Sequence, residues 1–338
     1  MSSPPLSTPM STDAHAAIPM RGFAIVIGSA ALFGLLGPLS RFAYAMGMEP
    51  TAFVTWRALI GFASLAAFVA WRVRRGATRV VRWGDLSGRA RTAMLVAALA
   101  GTILNLCMFI AFDRITIALA LLGFYTYPAM VAAFNVASGR ERIDGRRAVA
   151  LGLASAGMIA VVASQLDPAA GIRLDAIGLG LALGAAVSQA IFVIIGREGY
   201  SEVPTEQAMT TVLLVSFIGA LAVALVAGGV GPLARPVVQP DVLPLLLFTG
   251  IAAAAIPSFG FLTGIRLIGG TRVGILMLFE PVVGVALAAL LLHEGLAPIQ
   301  VAGGIAILAA AILLQREPAT ARGSDPDTAA SLVVPGGP

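Results

Sequence analysis

Ten apolar stretches, each almost free of charge, follow one another along the chain. In the first half they cover residues 22–40, 51–71, 92–112, 115–138 and 148–166, and in the second half residues 176–196, 208–231, 242–265, 273–292 and 297–314. An α-helix of about 20 residues crosses the ~30 Å hydrocarbon layer of a bilayer, whereas a membrane β-barrel shows alternating segments of about 10 residues. The pattern therefore predicts an all-α polytopic membrane protein with ten transmembrane helices.

Landmark residues recur in the two halves at an almost constant spacing. Three pairs of residues are separated by 153 or 154 positions, namely Pro50 with Pro204, Pro128 with Pro281, and Glu141 with Glu294. Single coincidences are common in a chain with 20 prolines, but several in the same order indicate an internal duplication. Because each repeat has five spans, an odd number, the second repeat enters the membrane inverted relative to the first.

This duplication divides the chain into two repeats with a tail at each end. We predict a first repeat at residues 21–166 (spans 1–5) and a second at residues 167–315 (spans 6–10). The tails, residues 1–20 and 316–338, are rich in Pro, Ser, Ala and Thr, and we predict that they are disordered because they bury too little apolar surface.

The arginines between the spans indicate the orientation in the membrane. With the N-terminus inside, 17 arginines lie in cytoplasmic segments and 4 in outside loops. The positive-inside rule then predicts an inner (plasma) membrane protein with both termini in the cytoplasm. The basic charge is thus explained by membrane topology, and we expect no nucleic-acid partner.

Composition also excludes several classes of function. The chain is 58% apolar and 12% charged, and all 22 of its basic residues are arginine. Without lysine it has neither a P-loop nor a Schiff-base nucleophile, and its single cysteine, Cys107, forms no intramolecular disulfide or multi-cysteine metal site. No HExxH motif or pair of mid-membrane carboxylates is present either. We therefore predict a protein that is not an enzyme and that needs no cofactor or resident metal.

The repeat landmarks resemble those of the drug/metabolite transporter superfamily, specifically its EamA type. The similarity covers about residues 21–315 and rests on a proline in the fourth span of each repeat, a glutamate thirteen residues later, the run Leu278-Phe279-Glu280-Pro281-Val282, and Trp56-Arg57. Phe33-Gly34 departs from the Trp-Gly that family members often carry. The resemblance implies a secondary transporter of ten spans, most often an exporter of small metabolites or amino acids.

A transporter without ATP chemistry is expected to place its selective residues near the middle of the bilayer. Polar residues within about five positions of a span centre are the candidate substrate-binding residues, namely Asn105, Tyr125, Tyr127, Ser188, Gln189, Ser258 and Glu280. Because Tyr125 and Tyr127 are two positions apart on a helix, we expect at most one of them to face a cavity.

Glu280 is the only acidic residue at this depth, and an unpaired charge there costs about 2.5–3.5 kcal/mol on insertion scales. Either it binds and releases protons to couple transport to a proton gradient, or it is hydrogen-bonded to Gln189, a tyrosine or freed carbonyls as a structural anchor. Arg57 either extends to the interface or turns inward, to form an ion pair or to bind a substrate carboxylate.

Pro128 and Pro281 each remove a backbone hydrogen bond inside a span, and we interpret both as gating hinges. The favoured function is a secondary transporter of a small molecule, an exporter by resemblance, that works by alternating access with protons as the candidate coupling ion. The alternatives are a passive channel and a membrane sensor that transports nothing.

Overall fold

The computed structural model describes residues 20–140, 144–164, 175–283, 286 and 297–315, and throughout that part of the chain every regular element is helical. The prediction of an all-α membrane fold is thereby confirmed. Met20, which we assigned to the N-terminal tail, begins the first helix. The rest of both tails, Glu141 and Glu294 lie outside the described residues.

In the first repeat, five spans are built from seven helices. They are α1 (Met20–Phe33) and α2 (Leu36–Ala45) in span 1, α3 (Pro50–Arg74), α4 (Gly88–Arg114), α5 (Ile117–Phe124) and α6 (Tyr127–Ala137) in span 4, and α7 (Gly145–Ala163). A single 3₁₀ turn, Trp83–Asp85, precedes α4.

The second repeat begins with α8 (Ala176–Gly196) and α9 (Thr205–Gly228). The helices that follow are α10 (Val230–Val238), α11 (Leu243–Gly250), a π-helical segment Ile251–Ala255, α12 (Ile256–Ile268), α13 (Gly270–Met277) and α14 (Pro298–Gln315). Span 8 contains α11, the π segment and α12, span 9 begins with α13, and α14 is span 10. The short helix α10 is not predicted by the hydrophobic pattern, because its nine residues include two prolines and a glycine.

Within the described ranges, eight helical segments are long and apolar enough to cross a membrane, and α14 is a shorter apolar helix. Large apolar side chains also face outward. On α4, Leu95, Leu99 and Ile103 follow one another at a spacing of four and are about half exposed. A stripe of this kind is destabilising in water but is the expected surface of a helix that faces lipid.

Local side chains explain where several helices begin. The Thr116 and Asp144 side chains accept hydrogen bonds from the amides of Leu119 and Arg147 at the starts of α5 and α7. Between spans 8 and 9 the chain reverses over Gly269, whose φ of +87° is a conformation that favours glycine. The spans are therefore delimited by ordinary capping chemistry and one very tight turn.

The two repeats pack on each other in a symmetric pattern. Between the repeats, span 1 packs on span 8, span 3 on span 6, span 2 on span 7, span 4 on span 9 and span 5 on span 10. Further contacts join span 3 to span 7, span 2 to span 8, span 4 to span 6 and span 1 to span 9. Exchanging each span with the one five later leaves this set of pairs unchanged. The packing therefore has the two-fold relation that a duplicated chain predicts.

Spans 5 and 10 cross at two glycines. A Cβ atom placed on Gly157 would lie 2.6 Å from the carbonyl oxygen of Gly303, and one placed on Gly303 would lie 2.6 Å from the carbonyl oxygen of Gly157. Only glycine allows the two backbones to approach so closely. This crossing holds the last helices of the two repeats together, away from the central spans.

Candidate functional site

Within the part of the chain that the structure describes, spans 1, 4 and 9 are each interrupted by a two-residue turn near the centre of the bundle. At each break a backbone amide donates to the carbonyl three residues earlier, as in a 3₁₀ turn. These bonds run from Leu35 to Leu32 in span 1 (3.4 Å), from Thr126 to Gly123 in span 4 (3.4 Å) and from Phe279 to Leu276 in span 9 (3.1 Å). The breaks in spans 4 and 9 are at equivalent positions of the two repeats.

Pro128 and Pro281, which we interpreted as hinges, are each the second residue of the helix that resumes after a break. Proline is well accommodated there because the first amides of a helix have no intrahelical partner. Tyr127 and Glu280 consequently occupy the matching first positions of the two resumed helices. The repeated prolines thus mark the points where spans 4 and 9 restart.

Residues from both repeats surround one cavity of about 120 Å³ at these breaks. The polar side chains that line it are Arg57, Asn105, Tyr127, Gln189, Ser216, Ser258 and Glu280. The remaining lining is largely aromatic and methionine side chains. Phe261 forms an edge-to-face pair with Phe33 and stacks with Phe192, at centroid distances of 6.4 and 6.3 Å. The cavity thus combines apolar walls with a few polar groups that converge from both repeats.

Most of the residues proposed from the sequence meet at this cavity, but two of the seven mid-depth candidates are elsewhere. Asn105, Gln189 and Ser258 line it together with Tyr127 and Glu280, and Arg57 does so as well. Ser188 is buried but is not part of the lining, because its neighbour Gln189 takes the inward face of α8. Tyr125 is also buried without lining the cavity.

The two tyrosines lie closer together than an unbroken helix would place them. Their ring centroids are 6.3 Å apart, because Tyr125 is in the turn between α5 and α6 and Tyr127 follows it. Both hydroxyls are buried and have no hydrogen-bond partner. Each is close enough to Glu280 to interact with it electrostatically. Span 4 therefore presents two hydroxyl groups to the acidic residue of span 9.

Glu280 is the acidic residue of the cavity. Its position at the start of a helix favours a negative charge through the helix dipole. Among the described residues no cation lies within 4 Å of its carboxylate. The hydroxyl of Tyr125, one of the anchors that we proposed, is next to the carboxylate but outside ideal hydrogen-bonding geometry. A carboxylate on the cavity wall with such neighbours has spare hydrogen-bonding capacity, which is typical of a site that binds a ligand or a proton.

Arg57 turns into the protein and is only 4% exposed, so the interpretation that it extends to the interface is wrong. One Nη donates to Oδ1 of Asn105 at 2.7 Å and the other to the carbonyl oxygen of Ala253 at 3.1 Å. The guanidinium also lies over the ring of Phe109, 5.1 Å from its centroid. Two spans besides its own thus hold this cation in a fixed orientation at the cavity.

Sequence reasoning missed a pair of hydroxyl residues in this region. Ser216, in α9, lines the cavity and is 3.3 Å from the hydroxyl of Thr102 in α4, which in turn donates to the carbonyl of Ala98. Both residues are within five positions of the middle of their apolar stretches. The criterion of mid-depth polarity would therefore have found them if it had been applied to every hydroxyl.

Two close backbone contacts connect the broken spans. A Cβ atom on Gly34, at the break of span 1, would lie 2.8 Å from the carbonyl oxygen of Glu280. A Cβ atom on Gly274, in α13, would lie 3.3 Å from the Cβ atom of Pro128. Span 9 is therefore in contact with the breaks of both span 1 and span 4.

At the face predicted to be cytoplasmic, hydrogen bonds join the two repeats. The side-chain amide of Gln207 donates to the carbonyl of Val81 at 2.6 Å and accepts from its amide at 2.9 Å. Nearby, Ser87 donates to Glu202 through its hydroxyl and its amide, which lowers the pKa of that carboxyl group. The loop between α3 and α4 is thus tied to the segment that begins α9.

Different residues join the repeats at the opposite face. The indole nitrogen of Trp56 donates to the carbonyl of Leu233 in α10 at 2.9 Å, and Arg235 donates to the carbonyl of Met46 at 3.1 Å. Helix α10, which the hydrophobic pattern did not predict, therefore packs across the first repeat next to the start of α3. Each end of the cavity has its own set of contacts between repeats.

Comparison with known proteins agrees with this architecture. A sequence model described as the EamA-like transporter family matches residues 20–163 and again residues 176–316. A solved structure titled only "Crystal structure of protein" superposes with a TM-score of 0.68 at 17% sequence identity, covering 87% of this chain and 97% of the other. At that identity the likeness shows the fold alone. No curated protein matches the chain.

Proposed function

Because this chain belongs to the EamA-like transporter family, with one family match in each repeat, we propose that it carries a small organic solute across the inner membrane by alternating access. The family and the apolar helices make it a multi-pass membrane protein of the drug/metabolite transporter kind. The observation that supports the finer proposal is the cavity, where charged and polar side chains from both repeats converge in an otherwise apolar bundle. Such groups are costly in a membrane and mark substrate pathways.

The arrangement of contacts supports alternating access. The repeats are joined at one face by Gln207 with Val81 and at the other by Trp56 with Leu233, and in the proposed cycle these two sets of contacts separate in turn. The broken spans 4 and 9 lie between these faces, in contact with each other through Pro128 and Gly274. A rocking movement of one repeat against the other would expose the cavity to each side in turn.

Protons are the proposed coupling ion, and Glu280 is the proposed carrier. The titratable and charged groups near it are Tyr125 and Tyr127 from the break of span 4, with Arg57 elsewhere on the cavity wall. A proton on Glu280 removes the negative charge from an apolar cavity, so a proton and a cationic group of the solute would compete for it. We propose export, with both termini in the cytoplasm, in keeping with the family and the arginine distribution.

Proton-driven flux in proteoliposomes tests this proposal. The purified protein is reconstituted with a pH-sensitive dye inside the vesicles, and amino acids and small metabolites are added one at a time. We expect at least one solute to cause proton movement. With one proton exchanged per solute, each pH unit across the membrane supplies about 1.4 kcal/mol, or a tenfold solute gradient.

A matched pair of variants isolates the role of Glu280. Glu280→Gln keeps the size of the side chain but holds no transferable proton, so we expect solute-driven proton movement to disappear. Saturable solute counterflow should continue, with a lower affinity for a solute that carries a cationic group. Glu198→Gln, at an exposed position outside the cavity, should behave as the wild type. Proton movement that persists in Glu280→Gln would exclude the carrier role. Flux without saturation or counterflow would indicate a channel instead of a transporter.

A further inference from the structure

Arg57 is a buried cation without a matching anion. Across the part of the chain that the structure describes, no carboxylate lies within 4 Å of its guanidinium, and its Nε is buried without a hydrogen-bond partner. The groups that accept from its two Nη atoms, on Asn105 and Ala253, are both neutral. Removing a full positive charge from water is costly unless an anion compensates it. The protein therefore positions a positive charge at the cavity wall with no described carboxylate in direct contact with it.

Arg266 shows what a structural arginine looks like in this fold. It also lies over an aromatic ring, that of Tyr200, and donates to backbone carbonyls of Tyr200 and Val203. Unlike Arg57, however, it is only partly buried, is not part of the cavity lining, and interacts electrostatically with Glu206. Carbonyl and ring contacts are thus enough to fix an arginine, and Arg57 differs from Arg266 in its deeper burial and in its place on the cavity wall.

The environment of Arg57 also fixes where its charge points. Ala253, one of its acceptors, is in the π-helical segment Ile251–Ala255, where the wider turn changes which carbonyls are bonded within the helix. Single π turns occur frequently at functional sites. Asn105 is itself anchored, since its side-chain amide donates to the carbonyl of Gly101 at 2.7 Å. With both acceptors held by the backbone, the planar guanidinium is pre-organised as an anion receptor.

We propose that Arg57 binds the carboxylate group of the transported solute, with Asn105 as its positioning residue. This inference rests on the proposed function. One guanidinium compensates one negative charge, so a singly charged carboxylate fits the site better than a doubly charged phosphate. The apolar walls, which include Phe109 and Phe261, suit a compact hydrocarbon body in a cavity of about 120 Å³. The carboxylate belongs either to a simple organic acid or to an amino acid whose amino group faces Glu280.

Ligand-dependent thermal stabilisation of the purified protein tests the proposal with simple carboxylates in place of the natural solute. The probes are acetate, isobutyrate, 4-methylpentanoate and 3-phenylpropionate, each beside its primary amide, and leucine and phenylalanine beside leucinamide and phenylalaninamide. We expect at least one acid to bind about 10- to 100-fold more tightly than its amide, since a charge-assisted hydrogen-bonded pair is lost in the amide. If no acid binds better than its amide, the proposal is overturned.

The amino group separates the two sources of the carboxylate. An amino acid that binds at least tenfold more tightly than the corresponding acid assigns the amino group to Glu280. Equal affinity of the two assigns the site to simple organic acids. Both results uphold a carboxylate site at Arg57.

Variants then assign the preference to the residue. In Arg57→Gln the acid and the amide should bind equally, and Arg57→Lys should retain part of the preference because it keeps the charge but loses the planar fork. Arg266→Gln is the matched control and should keep the full preference. If Arg57→Gln does not fold, Asn105→Ala retains the charge and should bind acids several-fold more weakly. An undiminished preference in Arg57→Gln, or in Asn105→Ala where that variant is used, contradicts the assignment.

Failure of this inference is distinguishable from failure of the proposed function. Saturable flux in proteoliposomes with no preference for acids over amides would leave the transporter intact and remove the carboxylate site. Acid binding without any solute flux would retain the site and remove the transporter.

Discussion

The contact between Gly34 and Glu280 makes the response of the cavity to one added methyl group predictable. Gly34 is in the turn that breaks span 1, and its Cα faces the carbonyl oxygen of Glu280 at the point where span 9 resumes. The change Gly34→Ala places a carbon 2.8 Å from that oxygen. Because the oxygen belongs to the backbone and the position of a Cβ atom is fixed by its own backbone, neither can move aside by a side-chain rotation.

The size of the effect follows from these distances. Ordinary contacts begin at 3.4 Å, so spans 1 and 9 must separate by about 0.6 Å. Overpacking of this kind costs about 1–3 kcal/mol, whereas replacing glycine by alanine recovers about 0.4–1 kcal/mol through the entropy of the unfolded chain. We therefore expect Gly34→Ala to lower the free energy of unfolding by about 1–2 kcal/mol. Because the strain falls on the backbone of Glu280, solute flux should fall as well.

Gly28 is the matched control, since it lies in the same span and a Cβ atom there would have no heavy atom within 4 Å. Gly28→Ala should be as stable as the wild type or more stable, with unchanged flux. Thermal unfolding of the two purified variants and flux in proteoliposomes provide the measurements. If Gly34→Ala is as stable and as active as Gly28→Ala, spans 1 and 9 do not approach each other this closely.

Two further predictions concern the packing of the repeats and their orientation. In α7, Gly157→Ala should destabilise the protein by about 1–3 kcal/mol in thermal unfolding, because its methyl group would meet the backbone of Gly303. Gly152→Ala, where no heavy atom lies within 4 Å of the added Cβ, should stabilise the protein by about 0.5–1 kcal/mol. If Gly157→Ala is the more stable of the two variants, the crossing of spans 5 and 10 is contradicted. The orientation is tested by introducing single cysteines into a Cys107→Ala background and labelling them with an impermeant maleimide. Cysteines at positions 85 and 144 should react only from the cytoplasmic side, and cysteines at positions 170 and 294 only from outside. Any reversal of this pattern would refute the topology.

The spans were predictable because a membrane helix is specified by length and hydrophobicity, which a single sequence displays directly. The breaks in spans 4 and 9 were partly predictable, since Pro128 and Pro281 recur in both halves. The break in span 1 had a similar signal that sequence reasoning missed, since Pro38 is the third residue of the resumed helix and has no amide to donate to the carbonyl of Gly34.

The side chains that line the cavity were harder to predict than the level of the membrane at which the cavity lies. Counting from span ends placed Ser188 and Gln189 at the same level, but only packing decides which of two adjacent residues faces inward. The orientation of Arg57 shows the same limit. Its acceptors are Asn105, 48 residues away, and the carbonyl of Ala253 in a π turn that no sequence pattern indicated.

The two repeats differ at one pair of matching positions on the cavity wall. Tyr127 and Glu280 each begin a resumed helix, each precede a proline, and both face the cavity. Two symmetric carboxylates there would repel each other at close range and tend to share one proton, whereas two tyrosines would carry no charge at the pH of the cell. With one of each, Glu280 is the one carboxylate among the described residues that line the cavity. Under the proposed proton coupling, this difference between matching positions of the two halves predicts a stoichiometry of one proton per transport cycle.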